Sequence, residues 1–304
     1  MTNSSEPNRI REIRPHPKKS WSQNFLTDRH VCSRIADETA LAAEGRPVLE
    51  LGAGTGALTR ELASRFKKVW ALERDRELVP LLKKEFAGNA QCNNVEVLED
   101  NALTVDIRSL AGTISTCDHG MIVVGNLPYH IASGIIFHLL DQRDSISSFI
   151  LMLQREMAER IVSGPGSREY GVISVLCAMH VKTRILFRVK PTSFKPKPKV
   201  ESAIVRFDVL EKPAVDVDEA MFRKVVKAAF SQRRKTLRNS LAQLFEDGTT
   251  VLKVLDEAGI DPGRRAETLS VEEFARITGN AARLISEVPA ECSTIEDIHP
   301  VGNL

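Results

Sequence analysis

The sequence has no Cys-x-x-Cys pair: its five cysteines, Cys32, Cys92, Cys117, Cys177 and Cys292, are scattered and odd in number. Such a set fits reduced thiols and argues against the disulfide framework of a small secreted domain. Zinc-ligand spacing is missing too, so no metal site is expected. The first 30 residues lack the apolar core of a signal peptide, and no apolar run reaches bilayer-spanning length. A cytoplasmic protein without a membrane partner is expected. Net charge is small, +2 from 42 basic and 40 acidic residues, so the total does not point to a nucleic-acid partner. The distribution of charge is more telling.

With 304 residues, 42% of them hydrophobic and 27% charged, the chain suits about two soluble globular domains. Residues 1–19 are polar and basic, with Pro7, Pro15 and Pro17, and read as a flexible arm. Asp28 suits the N-cap of a helix over 29–42, with Val31, Ile35 and Thr39 on one face. A buried strand over 47–51 runs into Gly52-Ala53-Gly54-Thr55-Gly56, and a helix bearing Leu58, Leu62 and Phe66 follows. Next come a strand over 68–73, a helix over 76–86 capped by Asp75 and carrying Leu78, Leu81, Leu82 and Phe86, and strands over 95–98, 121–125 and 146–153. This alternation predicts an α/β fold, Rossmann-like, with a parallel doubly wound sheet. Helices over 156–163 and 170–180 flank a Gly164-Pro165-Gly166-Ser167 turn, and strands over 181–189 and 200–209 enclose three Lys-Pro steps that fix an extended path. Past Glu211-Lys212-Pro213 only helices are predicted, over 218–231, 234–245, 249–258 and 270–285. The expected organisation is an α/β domain over 20–210, a small helical domain over 211–286, and a disordered acidic tail over 287–304.

Four constellations carry chemistry. Asn126-Leu127-Pro128-Tyr129 follows an apolar strand, at the edge where open α/β sheets bind ligands. It reads either as a strand-to-helix turn with a packed tyrosine or as a site for a flat, hydrogen-bonding ligand such as a nucleobase. The compact loop after Glu50, with Glu73 ending the next strand, suits a nucleoside cofactor whose ribose hydroxyls an acid can accept. Its spacing differs from G-x-G-x-x-G and is closer to an S-adenosylmethionine loop, where no phosphate needs cradling. Asp100 reads either as an acceptor for the adenine amine of that cofactor or as a helix cap. Charge is concentrated: residues 221–245 hold Arg223, Lys224, Lys227, Arg233, Arg234, Lys235 and Arg238, and residues 182–206 hold Lys182, Arg184, Arg188, Lys190, Lys195, Lys197, Lys199 and Arg206 beside one acid, Glu201. Tracts of one sign, with prolines and Phe194 among them, fit a phosphate-bearing partner. Phe194 reads either as a second stacking face for a base or as a loop anchor.

Taken in order, Gln23-Asn24-Phe25-Leu26, residues 50–59, Gly125 to Tyr129, Gly164-Pro165-Gly166-Ser167 with Tyr170-Gly171, residues 194–200 and Gln232-Arg233-Arg234-Lys235-Thr236-Leu237-Arg238-Asn239 form a specific set. The chain resembles the bacterial KsgA-type (RsmA) small-subunit ribosomal RNA adenine dimethyltransferases over about residues 15–285. That resemblance implies methyl transfer from S-adenosylmethionine to N6 of two adjacent adenines near the 3′ end of small-subunit ribosomal RNA, in a partly assembled particle. It implies cofactor contacts at Asn24, Leu26, Gly52, Gly54, Glu73, Asp100 and Asn126. The catalytic segment would be Asn126, Leu127, Pro128 and Tyr129. RNA contacts would fall on Phe194, Lys195, Lys197 and Lys199 and on Arg233, Arg234, Lys235 and Arg238 of the helical domain. Ser22, Ala53 and His130 depart from the usual Gly, Pro and Asn of the family. Two other readings stand beside it. One is a large-subunit enzyme of the erythromycin-resistance type; the other is an assembly factor that binds RNA without catalysis.

Overall fold

The computed structural model describes residues 24–113, 120–245 and 248–287; the expected arm over 1–19 lies outside them, as does all but Glu287 of the expected tail over 287–304. In chain order its elements begin with β1 Phe25–Leu26, α1 Arg29–Ala43, β2 Val48–Leu51, α2 Ala57–Ala63, β3 Val69–Glu73, α3 Leu78–Ala87, β4 Val95–Glu99, α4 Ile107–Gly112, β5 Met121–Asn126 and α5 Ala132–Asp141. They continue with β6 Ile146–Gln154, α6 Arg155–Val162, α7 Val172–His180, β7 Val181–Val189, β8 Phe194–Lys195, β9 Ser202–Val209, α8 Glu219–Phe230, α9 Leu237–Leu241, α10 Gly248–Glu257 and α11 Val271–Glu287.

Seven strands form one sheet in the order β4-β3-β2-β5-β6-β9-β7. Strands β4 to β6 are parallel, as the alternation predicts. The last two strands are not: β9 runs antiparallel to both β6 and β7, so the sheet is mixed. A parallel β7–β9 pair needs a crossover of a dozen or more residues, usually helical. The proline-rich link between these strands holds only a 3-10 turn and β8. Apolar side chains alternate to both faces. Ala203, Val205 and Phe207 of β9 enter one core with Phe149 and α5, while Ile204 joins Ile122, Val124, Ile150 and Met152 under α1.

Local rules set the helix starts. The Asp28 carboxylate accepts from the His30 and Val31 amides and caps α1. Asp75 opens the next expected helix, its carboxylate accepting from the Glu77 amide at 3.0 Å. Its amide is held by Glu73 and its carbonyl takes the Leu78 and Val79 amides, while the regular turns of α3 begin at Leu78; Leu81, expected on the apolar face, is exposed. The predicted helix over 234–245 shrinks to α9 and a 3-10 turn. The Leu237 and Arg238 amides, orphans of a helix start, are taken by carbonyls of Arg264 and Pro262, which fixes the helix to begin there.

The chain divides into two compact units. One holds the described residues through Gly164 together with Ile173–Ala214, and contains the sheet. The other holds Pro165–Val172 and the described residues from Val215 on, where Phe222 and Phe274 are fully buried. Within it the inserted segment is tied down by Gly166 N–H to the Glu267 carbonyl at 2.7 Å and by Tyr170 Oη to the Leu269 carbonyl at 3.0 Å. No helix among the described residues is long and apolar enough to cross a membrane.

Candidate active site

Strand β2 delivers the glycine loop at the carboxyl edge of the sheet. Gly52, Gly54 and Gly56 take φ of 74°, 57° and 73°, the left-handed region in which glycine carries no penalty. The Gly52 and Ala53 amides both donate to the Leu72 carbonyl, at 2.9 and 3.0 Å. Glu73, at the end of β3, is buried, and its two oxygens accept from Gly54 N (2.8 Å) and Asp75 N (2.8 Å). One carboxylate thus pins the loop from below. Each oxygen keeps a free lone pair with which to accept a ribose hydroxyl.

Glu50, one residue before the end of β2, is buried and accepts from Thr59 Oγ1 at 2.6 Å. Burial pushes its pKa up to about 8; the Thr59 bond opposes the shift, and the nearby Glu73 charge adds to it. A β-carbon at Gly52 would touch only the Asn126 carbonyl oxygen, 3.8 Å away, an ordinary contact that sets the loop directly against the end of β5. A glycine loop facing the end of β5, with a buried carboxylate beneath it, fits S-adenosylmethionine.

Asp100 follows β4, and its amide donates to the Glu73 carbonyl at 3.2 Å, which places it beside the loop. The helix-cap reading fails here: α4 begins at Ile107 and is capped by Asp106. Asp100 is exposed, and one of its oxygens holds the Asn101 amide at 2.6 Å.

Asn126 is the last residue of β5, in a strand whose Gly125 lies opposite Leu51 of β2. Its Nδ2 donates to the Asn24 carbonyl at 3.3 Å, so its Oδ1 is the atom left for a ligand. Leu127 is buried, and Pro128 leads into a 3-10 turn over Tyr129–Ile131. Tyr129 is half-buried, with its hydroxyl 2.8 Å from Ser202 Oγ on β9. Burial raises the phenol pKa, against the lowering effect of the Ser202 bond. His130, next in the turn, is exposed.

Asn24 and Leu26 reach the site through a two-stranded ribbon, in which Phe25 pairs with Lys195 and Leu26 with Phe194. Ser193 clasps the ribbon: its carbonyl accepts from Thr27 N at 2.9 Å and its hydroxyl donates to the Asp28 carboxylate at 2.9 Å. The Ser193 bond is the main reason the Asp28 carboxyl is held below its usual range. Phe194 is only 5% exposed and packs with Leu26, Met152 and Ile204. In this conformation it is the loop anchor and presents no open stacking face.

Lys195, Lys197 and Lys199 are exposed and pair with no described acid. In the helical unit, Arg234, Lys235 and Arg238 are likewise exposed and unpaired among the described residues, whereas Arg233 lies 3.7 Å from Glu267. Sequence reasoning overlooked Phe25, whose ring lies 3.2 Å from where a Gly54 β-carbon would sit, and Ser202. Only the position of Phe25 beside Asn24 hinted at the first. Nothing local marks a serine 73 positions away from its tyrosine.

Comparison with known proteins agrees with this geometry. Residues 15–283 match the family described as ribosomal RNA adenine dimethylase. The ribosomal RNA small subunit methyltransferase A of Geobacter sulfurreducens is 47% identical over 264 residues, covering 86% of this chain and 94% of that protein. The protein of the same name from Bacillus mycoides is 39% identical over 287 residues, 91% of this chain and 97% of that one. Among solved structures, a dimethyladenosine transferase from Plasmodium falciparum superposes with a TM-score of 0.71 at 25% identity, covering 83% of this chain and 96% of that one. The 23S rRNA methyltransferase ErmE gives 0.63 at 28% identity, covering 85% and 100%. By this match, and by relatives that align along nearly their whole length, the chain belongs to the ribosomal RNA adenine dimethylase family.

Proposed function

We propose that the chain dimethylates N6 of two adjacent adenines near the 3′ end of small-subunit ribosomal RNA, acting as a monomer on a partly assembled particle in the cytoplasm. The observation that carries this reading is the orientation of the Asn126 amide. With Nδ2 given to the Asn24 carbonyl, Oδ1 is left as an acceptor at the end of β5.

N6 of adenine is a poor nucleophile because its lone pair is delocalised into the ring. Asn126 Oδ1 and the Leu127 carbonyl accept the two N6–H bonds, which favours a more tetrahedral nitrogen with its lone pair directed at the donor. Tyr129 stacks on a base taken out of its stack, and Pro128 fixes the path between amide and ring. S-adenosylmethionine, when bound, supplies a methyl group on a sulfonium as the electrophile. Asn24, Leu26, Gly52, Gly54, Glu73, Asp100 and Asn126 hold it: Glu73 at the ribose hydroxyls, Asp100 at the adenine amine. Alignment and fixed dipoles do most of the catalysis, and the methylated amine gives its surplus proton to water. Lys195, Lys197, Lys199, Arg233, Arg234, Lys235 and Arg238 bind RNA phosphates, and Phe194 braces the wall behind the base.

ErmE supports a second reading, because its structure resembles this chain and its name places it on 23S RNA. One assay separates the two. Unmodified small and large subunits are offered with labelled S-adenosylmethionine, and the RNA is digested to nucleosides. Dimethyladenosine in the small-subunit RNA is expected. Label confined to the large-subunit RNA supports the second reading, and label in neither sinks both.

A further inference from the structure

The basic tract over 182–206 is one stretch in sequence but two surfaces in space. Pairing across the sheet sets Asn126, Met152, Ile204 and Phe187 in a single row. The next row on the same face is Val124, Ile150, Arg206 and Arg184, and the one after it is Ile122, Ser148, Asp208 and Lys182. This is the α1 face, since Ile122, Val124, Ile150, Met152 and Ile204 pack with Cys32, Ile35 and Ala36. Arg188 falls in the opposite phase, beside Ala203, and is paired with Glu159 at 3.2 Å.

Beyond the cover of α1 the face of β9 and β7 is open: Lys182 and Arg184 are exposed. At its upper end the Arg34 guanidinium of α1 sits 3.8 Å over the Phe187 ring. Asp208 is taken by Arg206 at 2.7 Å. Lys182 and Arg184 pair with no described acid. Arg184 stands directly across from Arg206. Arg206 is satisfied by Asp208, which leaves the exposed Arg184 and Lys182 as the cations this face presents to solvent.

We infer that this open face of β9 and β7 is a docking strip for the RNA backbone, with Arg34, Arg184 and Lys182 as its phosphate contacts. The inference rests on the reading of the chain as an enzyme acting on ribosomal RNA. The strip starts in the row of Asn126, three strand spacings or about 14 Å away, and descends in steps of about 7 Å per row. A strand whose base enters at Asn126 is therefore met by cations placed at regular intervals on the adjoining face. A duplex or single strand presents phosphates whatever its sequence, so the strip contributes affinity and register, not base choice.

The test uses the full chain and unmodified small subunits. K182E/R184E is expected to weaken binding at least tenfold at physiological salt, and R34E by a smaller factor, with S-adenosylmethionine affinity unchanged. The neutral variant K182Q/R184Q is expected to make the dependence of log K on log salt shallower by about 1.4–1.8, the share of two phosphate contacts. K83E/K84E, on α3, carries the same change of net charge and is expected to bind as the parent does. Binding by K182E/R184E within twofold of the parent, or an equal loss in K83E/K84E, overturns the strip. Failure of the parent protein to bind or methylate small subunits overturns the reading beneath it, which is a different result.

Discussion

On the donor side of the site the polar contacts are local, joining Thr59 to Glu50, Gly54 to Glu73 and Asp75 to Glu73 across 9, 19 and 2 positions. On the acceptor side they join Asn126 to Asn24, Tyr129 to Ser202 and Ser193 to Asp28 across 102, 73 and 165. The donor half is one β-α-β unit held by buried carboxylates and backbone. The acceptor half is assembled from four segments that meet only once the sheet is closed. Damage to the first should therefore register as lost stability, and damage to the second as lost rate in a folded protein.

Asn126→Ala tests that division most severely. It removes the proposed N6 acceptor and one hydrogen bond to Asn24. Methylation should fall by on the order of 10²–10³, while stability drops by only about 1 kcal/mol and RNA affinity stays within threefold. Single-turnover kinetics beside a subunit-binding curve give both numbers. An RNA affinity that fell with the rate would place Asn126 in binding and erase the contrast. Charge reversal at Arg234 and Lys235 should give the complementary pattern: weak binding with an intact donor site.

Glu50 probes the donor half through pH. The unfolded chain releases this carboxyl proton near the ordinary value of about 4.3, but the folded chain holds it up to about 8. Between those values the native state binds a proton that the unfolded state has shed. Stability contributed by Glu50 is therefore full below about 4.3 and is lost as pH rises towards 8. Glu50→Gln carries no titrating proton, so its stability should decline less across that window, by on the order of a few kcal/mol. Denaturant unfolding of both proteins at several pH values from 5 to 8 measures this. Parallel curves would mean that Glu50 is ionised in the fold.

The same contrast explains what could be read from the sequence. The glycine loop, Glu73 and the strands around them announce themselves because strand, turn and acid follow within one unit, and the apolar runs are continuous where a strand is buried on both faces, as in β5 and the middle of β6. Asn126 and Tyr129 were visible as residue types at a strand end, but what orients them was not. The Asn24 carbonyl and the Ser202 hydroxyl act through contacts that only the sheet order creates. Phe194 misled for a related reason. An aromatic among lysines reads as an exposed ring, yet pairing with Leu26 turns it into the core under α1. The antiparallel end of the sheet was hidden too, because helix-strand alternation carries no mark of the point at which crossovers stop.

Two glycines sharpen the contrast within the loop itself. A β-carbon at Gly56 would lie 2.9 Å from Phe86 Cζ and 3.1 Å from Leu82 Cδ2, in a backbone already at φ 73°. Gly56→Ala adds overpacking to left-handed strain, about 3 kcal/mol together. Gly52→Ala has the strain alone, about 1–2 kcal/mol, because its β-carbon meets only the Asn126 carbonyl oxygen, at an unstrained 3.8 Å. The melting temperature should fall further for Gly56→Ala. Donor affinity measured well below both transitions should suffer more for Gly52→Ala. The opposite ranking in donor affinity would mean that the donor does not lie between the loop and β5.

The smallest expected effect is the most specific to the acceptor half. Ser202 is fully buried, and its one contact with the site is the Tyr129 hydroxyl at 2.8 Å. Ser202→Ala removes that tether and leaves the phenol half-buried with no partner on β9, at about 1 kcal/mol. The ring keeps its place on the 3-10 turn but gains freedom to tilt. A base stacked on it is then held less well in line with the methyl donor. The expected result is a several-fold loss in the rate of the chemical step, with S-adenosylmethionine affinity unchanged and partial recovery in Ser202→Thr, which restores a hydroxyl. A rate that follows stability alone, equal in Ser202→Ala and Ser202→Val, would make Ser202 a packing residue and leave Tyr129 oriented by its backbone.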